Sequence, residues 1–359
     1  MVLDAQTLED PRNGVTSLFL GICFTPMKFI HYTPNIIPPQ FPVWNRAATS
    51  TNQADPFCNC EAWQLSFQDA FSPNRRLLYA EYNGSICVFA EFAFSPNRIF
   101  LTPVESHWFF GSPLLGPDAV DILHNSFGFL EKNYGRTFPL FALGGVRPQG
   151  RLARRLFKAF GKTFTFYLHA TGEQGCASLN GGVEGFLGRR SANHRAKVRK
   201  QARRVAEAGV CFERVQPASS KEASVAYQRI IAIERQSWKG IDQCGMAESP
   251  SKEFYDIMLQ RLSATRSARI IFARHEDNDI GFIFGSMAGK IYRGQQFSYD
   301  NTWRHAGLGN VLQLEKVRWL CEQGAKRYDM GPVTGPKMDY KRHWTEKHIP
   351  VETWILERN

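Results

Sequence analysis

The residues with the clearest chemical meaning are Arg304-His305-Ala306-Gly307-Leu308-Gly309, a hexad of the pattern Arg/Gln-x-x-Gly-x-Gly/Ala. Glycines at that spacing let the backbone approach a diphosphate, and the first amides of a following helix point at the anion. The hexad lies between a strand beginning at Tyr292 and a helix reaching about Gln323, with a second strand over Arg327 to Met330. Alone, the two glycines would also fit an ordinary turn. The strand–loop–helix–strand setting is what favours an anion cradle. No Ser/His/Asp or Cys/His order stands out, and none of the 8 cysteines lies in a nucleophile motif, which speaks against a covalent intermediate. Cys58-Asn59-Cys60 has no second Cys/His pair at ligand spacing, so no metal is expected.

Length and composition bound the class. A chain of 359 residues has room for two compact domains, and 43% hydrophobic with 21% charged residues describes a folded protein. Aromatics reach 13%, which suits either a sheet-rich interior or an apolar acyl-binding cleft. The formal charge of +11 implies a surface that attracts coenzyme phosphates, nucleic acid or acidic membrane. The cysteines are scattered, several within apolar runs, as in a protein with reduced, buried thiols. No apolar run is long enough to cross a membrane. Val15 to Phe24 is apolar but follows Asp4, Glu9 and Asp10 rather than a basic segment, so no signal peptide is expected and the expected compartment is the cytoplasm.

The elements that must position the hexad follow from periodicity and turn residues. Residues 1 to 60, broken by Pro34, Pro38, Pro39, Pro42 and Pro56, read as an irregular extension with one strand near Met27-Phe29-Ile30. Leu77 to Tyr82 and Ile86 to Phe94 form a hairpin turning at Asn83-Gly84. A strand is expected over Arg98 to Val104, a helix over Asp118 to Asn133, a strand over Phe138 to Leu143, a helix over Arg151 to Phe160 and a strand over Thr163 to His169. Between Gly185 and Gly209 lies a strongly basic helix with Ser191 as its N-cap. A strand over Cys211 to Val215 follows, then helices over Ala223 to Trp238 and Ser251 to Ala264. A second hairpin pairs Ala268 to Arg274 with Ile280 to Met287, and Val351 to Leu356 is a last strand. The fold class is α/β (α+β): two halves of similar element order, each a mixed, mostly antiparallel sheet flanked by helices.

Four stretches of the second half resemble the FemAB-like branch of the GNAT acyltransferases. That branch includes cellulose-biosynthesis-associated acetyltransferases and peptidoglycan-bridge aminoacyl transferases. The basic helix Ser191-Ala192-Asn193-His194-Arg195 with Val198-Arg199-Lys200 and Arg203-Arg204 resembles the one that opens the family's second domain. Ser237-Trp238-Lys239-Gly240 is a tetrad frequent in the family. Gly324 with Arg327-Tyr328-Asp329-Met330-Gly331 is similar to its Gly-x-x-x-Phe/Tyr-Asp-Phe-Gly strand, and Tyr340-Lys341-Arg342-His343-Trp344 to its Tyr-Lys-x-x-Trp block. Together they cover residues 190 to 350 in the family's order; the first half resembles it in element order alone. The resemblance implies an irregular extension over 1–60, a GNAT-like domain over 61–185, and a second over 186–359 carrying the acyl-CoA site. Two departures, an intact Arg304–Gly309 turn and no inserted helical hairpin for tRNA, point to acyl-CoA as donor.

In the acyl transfer so implied, Phe297, Ser298 and Tyr299 hold the pantetheine with free backbone amides, and Arg304, His305, Ala306, Gly307, Leu308, Gly309 and Asn310 hold the diphosphate. Asp329 is the first candidate base and Asp300 the second, and Tyr340 stands where these enzymes often carry the acid for the leaving thiolate. Trp238, Lys239 and Lys341 are the candidates for acceptor binding. The expected acceptor is an amine of a small metabolite, amino acid or amino sugar, and the donor acetyl-CoA or another acyl-CoA. The basic helix has three readings: a solvated face, neutralisation of a coenzyme 3′-phosphate or anionic acceptor, or contact with tRNA or an acidic membrane. The alternatives to the acyl-CoA enzyme are aminoacyl transfer from tRNA and a non-catalytic nucleic-acid-binding protein on the same fold.

Overall fold

The computed structural model describes residues 25–359 apart from 33, 35–38, 51–54, 136, 243–244 and 336–337. The apolar run at Val15 to Phe24, Cys23, Pro38 and Cys244 lie outside the described residues. The chain begins with β1 (Thr25–Ile30), α1 (Pro42–Ser50), α2 (Glu61–Phe71), β2 (Leu77–Tyr82), β3 (Ser85–Ser95) and β4 (Arg98–Thr102). It continues through β5 (Leu114–Leu115), α3 (Ala119–Asn125), α4 (Phe127–Tyr134), β6 (Leu140–Val146), α5 (Arg151–Phe160) and β7 (Phe164–Ser178). Next come α6 (Gly182–Gly188), α7 (Ala192–Glu207), β8 (Cys211–Val215), α8 (Ser220–Gln236), α9 (Trp238–Ile241) and α10 (Ser251–Ala264). The chain ends with β9 (Ala268–His275), β10 (Asn278–Ala288), β11 (Ile291–Tyr299), α11 (Leu308–Glu322), β12 (Arg327–Pro332) and β13 (Lys347–Arg358).

The strands join in one mixed sheet of order β1-β2-β3-β4-β6-β13-β7-β12-β11-β10-β9-β8, with β5 beside β3. Only β4/β6 and β11/β12 pair in parallel; the other pairings are antiparallel. The C-terminal strand β13 lies between β6 and β7, so the last residues of the chain complete the sheet of the first half.

Several elements differ from the sequence-based expectation for definable reasons. The stretch before residue 60, expected to be irregular, holds α1 as well as the expected β1. Trp44, Ala47 and Ala48 of α1 are buried, so one apolar face packed on the sheet stabilises a helix despite the surrounding prolines. The helix expected over Asp118 to Asn133 is two helices. Ser126 separates them, its Oγ donating to the Ile122 carbonyl at 2.7 Å and bending the chain. β7 runs nine residues beyond its expected end at His169, through Gly172-Glu173-Gln174-Gly175, a segment without strand propensity. Pairing with β12 and β13 on its two edges holds it extended, and a Cβ on Gly175 would lie 2.4 Å from Val333 Cγ1.

The helix α2, which gave no clear signal in the sequence, links the halves. Its Trp63 and Phe67 pack with Phe254 and Met258 of α10, Ile230 of α8 and Phe272, Phe282 and Phe284 of the sheet. Each such buried side chain contributes roughly 1.5–3 kcal/mol. The opposite face of the second-half sheet is covered by α6, α7 and α11. The expected N-cap of the basic helix is in place: Ser191 Oγ accepts from the His194 amide at 3.2 Å. Ser191→Ala should cost ~1 kcal/mol in a urea-unfolding measurement, and an unchanged unfolding midpoint would refute the cap's contribution. Among the described residues no helix is long and apolar enough to cross a membrane.

Candidate active site

The parallel pairing of β11 with β12 is short. It covers Ile291 with Arg327, Tyr292 with Tyr328 and Arg293 with Asp329, and then stops. On its other edge β11 stays paired with β10 as far as Tyr299, with a bulge at Gln295 where the register shifts opposite Phe284 and Gly285. The two strands therefore open in a V. Phe297 to Tyr299 lie on the opened arm, and a cleft of ≈1160 Å³ fills the V.

One end of the cleft reaches the N-terminus of α11. There a 3₁₀ turn over Asn301–Ala306 delivers the chain to Gly307, whose φ of +78° is the left-handed conformation that glycine adopts freely. Gly309 lies so close to β11 that a Cβ would meet Tyr299 Cε1 at 2.8 Å. The basic helix packs directly on this loop: Arg204 Nη1 donates to the His305 carbonyl at 2.9 Å, and Asn310 Nδ2 donates to Gln201 Oε1 at 2.8 Å. Lys197 and Gln201 of α7 and Arg304 of the turn line the cleft here, so this end is electropositive and rich in donors.

The other end opens on the opposite side of the sheet, under α9. Ser237 Oγ accepts from the amides of Lys239 and Gly240, which starts this short helix and aims Trp238 and Lys239 at β11. Lys239 Nζ donates to Gln296 Oε1 and to the Phe297 carbonyl, both at 3.0 Å, with Glu234 Oε1 3.6 Å behind it. Gln296 Nε2 in turn donates to the Tyr255 hydroxyl at 2.8 Å. Asp242 is the carboxylate that lines the cleft at this end.

Tyr340 and Lys341 close the middle of the V from a second 3₁₀ turn, Asp339–His343. Tyr340 packs edge-on against Phe297, with ring centroids 5.5 Å apart, and burial pushes its hydroxyl well above the ordinary tyrosine range. Lys341 Nζ donates to the Pro332 carbonyl at 2.8 Å. Burial, then the charges of Arg293 and Lys239, bring its pKa down to about 7, so at neutral pH much of it is the free amine.

The structure brings together most of the residues singled out in the sequence. Phe297, Ser298, Tyr299, Arg304, Gly307, Gly309, Asn310, Trp238, Lys239, Tyr340 and Lys341 all line the cleft. His305, Ala306 and Leu308 do not; Leu308 is turned into the core. The two carboxylates expected as bases also lie away from it. Strand alternation turns Tyr328 and Met330 to the cleft and Asp329 to the opposite face, where Arg327 holds it at 2.6 and 2.7 Å. Burial raises the Asp329 pKa to about 6, against the lowering effect of Arg327. Asp300 caps the 3₁₀ turn, accepting from the Thr302 amide at 2.8 Å and hydroxyl at 2.7 Å. Sequence reasoning missed Gln201, Gln295, Gln296, Gln313 and Tyr328. The signal was present in Gln295-Gln296, two adjacent amides interrupting an apolar strand. Gln295 Nε2 is buried with no hydrogen-bond partner, a donor turned to no protein group at the point where the strands part.

Residues 192–342 match the family model described as the Acetyltransferase (GNAT) domain. This segment, most of the second half of the chain, is thus a GNAT-type acyltransferase domain. Its whole fold is shared with solved structures at low identity. FemX aligns with a TM-score of 0.62 and 10% identity over 90% of this chain and 96% of FemX. A conserved protein of unknown function from Bacteroides thetaiotaomicron gives 0.61 and 10%, over 92% and 99% of the two chains. The C-terminal domain of a putative lysylphosphatidylglycerol synthetase from Agrobacterium fabrum gives 0.54 and 12%, over 87% and 90%. No curated protein sequence matches the chain.

Proposed function

We propose that the chain is an acyl-CoA-dependent N-acyltransferase whose donor enters along α7 and α11 and whose amine acceptor enters under α9. The observation that carries this reading is the opened β11/β12 pair facing the Gly307 turn. It exposes strand amides beside a helix N-terminus, the combination a diphosphate and a thioester arm require. The glycines at 307 and 309 leave room for a close approach, and Lys197 and Arg304 supply positive charge. The donor contributes an activated thioester carbonyl. The amine lone pair forms the C–N bond, the C–S bond breaks, and its electron pair leaves with sulfur. Lys341, poised near neutrality, takes the proton lost by the nitrogen, and Tyr340, kept protonated by burial, gives one to the sulfur. Lys239 steadies β11 through the Phe297 carbonyl, while Trp238 and Asp242 face the acceptor.

The acceptor so admitted is an amine of a small metabolite, amino acid or amino sugar. The thiols of Cys58, Cys87 and Cys176 are unpaired and buried, which suits a reducing compartment, and we place the enzyme in the cytoplasm. A second donor, aminoacyl-tRNA, is favoured by one feature: Arg199, Lys200, Arg203 and Arg204 form an exposed basic surface beside the cleft mouth. Calorimetric titration with acetyl-CoA and free coenzyme A, at low and moderate salt, separates the two. Saturable binding that survives moderate salt is expected. Absence of binding would overturn the coenzyme reading and leave the tRNA donor.

A further inference from the structure

Outside the cleft lining, one buried ion pair stands directly below the point where the strands part. Arg293 is the last residue of β11 to pair with β12, and its Nε donates to Asp55 Oδ2 at 2.7 Å. The two side chains are 5% and 0% exposed and lie 238 positions apart in the chain. Asp55 belongs to the loop before α2, in the first half. Its other oxygen accepts from the Cys58 amide at 3.1 Å, which ties the carboxylate to the start of that helix.

The guanidinium occupies the place of a strand partner. If the parallel register Arg293–Asp329 continued two residues, Gln295 of β11 would face Gly331 of β12. Gly331 faces the guanidinium instead. A Cβ there would lie 2.5 Å from Arg293 Nη2 and 2.7 Å from Cζ, which only a glycine permits. Gly331 also has φ of +69°, and the pairing of β12 with β7 slips between Asp329 and Gly331. On the β11 side, Nη1 donates to the Gly294 carbonyl just before the bulge at Gln295. Phe110, also from the first half, lies 5.6 Å from the guanidinium.

We propose that Arg293, held by Asp55, is a wedge that keeps β11 and β12 apart, so that the first half of the chain sets the opening of the cleft in the second. The pair is a positioning device rather than a catalytic one. The wedge stands on geometry alone; only its consequence for turnover rests on the acyl-CoA reading above. Burial explains why an ion pair is used. A desolvated guanidinium whose donors are fixed by Asp55 and the Gly294 carbonyl has one stable orientation, which an aliphatic chain would not have.

The test reads the strand amides directly. In the wild type the amides of residues 295–299 that face β12 should exchange with deuterium rapidly, as unpaired groups. Arg293→Met combined with Asp55→Leu removes both charges together and avoids leaving one buried alone. Its melting temperature should stay near that of the wild type, while those amides slow at least tenfold as the strands close. Arg293→Lys keeps the charge and the partner but lacks the fork over Gly331, and should slow the same amides several-fold even if the double variant does not fold. Unchanged exchange in Arg293→Lys, or in a folded double variant, would overturn the wedge. Acetyl-CoA titration of the same proteins keeps the two ideas distinct. Slowed exchange in the variants together with a wild type that binds no coenzyme A upholds the wedge and refutes the donor. Coenzyme A binding by the wild type with unaltered exchange in the variants does the reverse.

Discussion

Lys341→Met should lower turnover by roughly 10²–10⁴-fold while leaving donor affinity within a few-fold of the wild type. The side chain lines the cleft from the Asp339–His343 turn rather than from the Gly307 turn, and as the proposed base it acts on the acceptor's proton. Its pKa is lowered from 10.5 to about 7, chiefly by burial, so the amine is protonated below about 7 and free above it. A base is active in its deprotonated form. The wild-type rate constant kcat/KM should therefore climb with pH through about 7 and level off, and the Lys341→Met variant should lose that limb. Lys341→Arg should be equally impaired, because a guanidinium does not deprotonate in this range. A Lys341→Met enzyme that keeps the wild-type pH profile would exclude the lysine as base and return attention to Asp242.

Gly307→Glu should abolish coenzyme A binding, since it sets bulk and negative charge where the diphosphate is proposed to lie. From the sequence alone this substitution looks neutral for folding. The structure adds a cost. At φ +78° an L side chain is strained, and the new Cβ would stand 2.1 Å from Gln201 Nε2, so the Gln201 side chain must swing aside and give up its hydrogen bond from Asn310. A destabilisation of roughly 1–2 kcal/mol is expected beside the loss of binding. Arg304→Glu serves as the cleaner companion: Arg304 lines the cleft and is exposed, so reversing its charge disturbs no packing. Loss of a charged hydrogen bond corresponds to about 1.5–3 kcal/mol, or roughly 10- to 150-fold weaker binding. Two variants that bind coenzyme A as the wild type does, by calorimetry, would remove the loop from the donor site.

Much of this site was legible in one dimension because its parts are local. The hexad at 304–309, the Ser237-Trp238-Lys239-Gly240 tetrad and the Tyr340-Lys341 pair each act within a single turn, where residue type and spacing set the backbone and the side-chain direction. The hairpin at Asn83-Gly84, α5, β8 and α10 were equally plain, since glycine turns and apolar periodicity act over a few residues. The roles of Asp329 and Asp300 were not. A carboxylate at the end of a strand beside the phosphate turn looks like a base until the pleat direction is known, and that direction depends on which helix covers which face.

Local chemistry in the chain thus carries the glycine turn at 304–309, the basic helix with its Ser191 cap, and the succession of strands and helices that makes the α/β fold. Tertiary structure alone decided that β13 returns to lie between β6 and β7, that α2 packs on the second half, and that Lys341 rather than Asp329 faces the cleft. It also placed Asp55 against Arg293 across 238 residues of chain. These outcomes depend on desolvation and close contact between distant segments. A lysine is shifted towards neutrality, and a guanidinium fixed in one orientation, only where the folded chain removes the surrounding water.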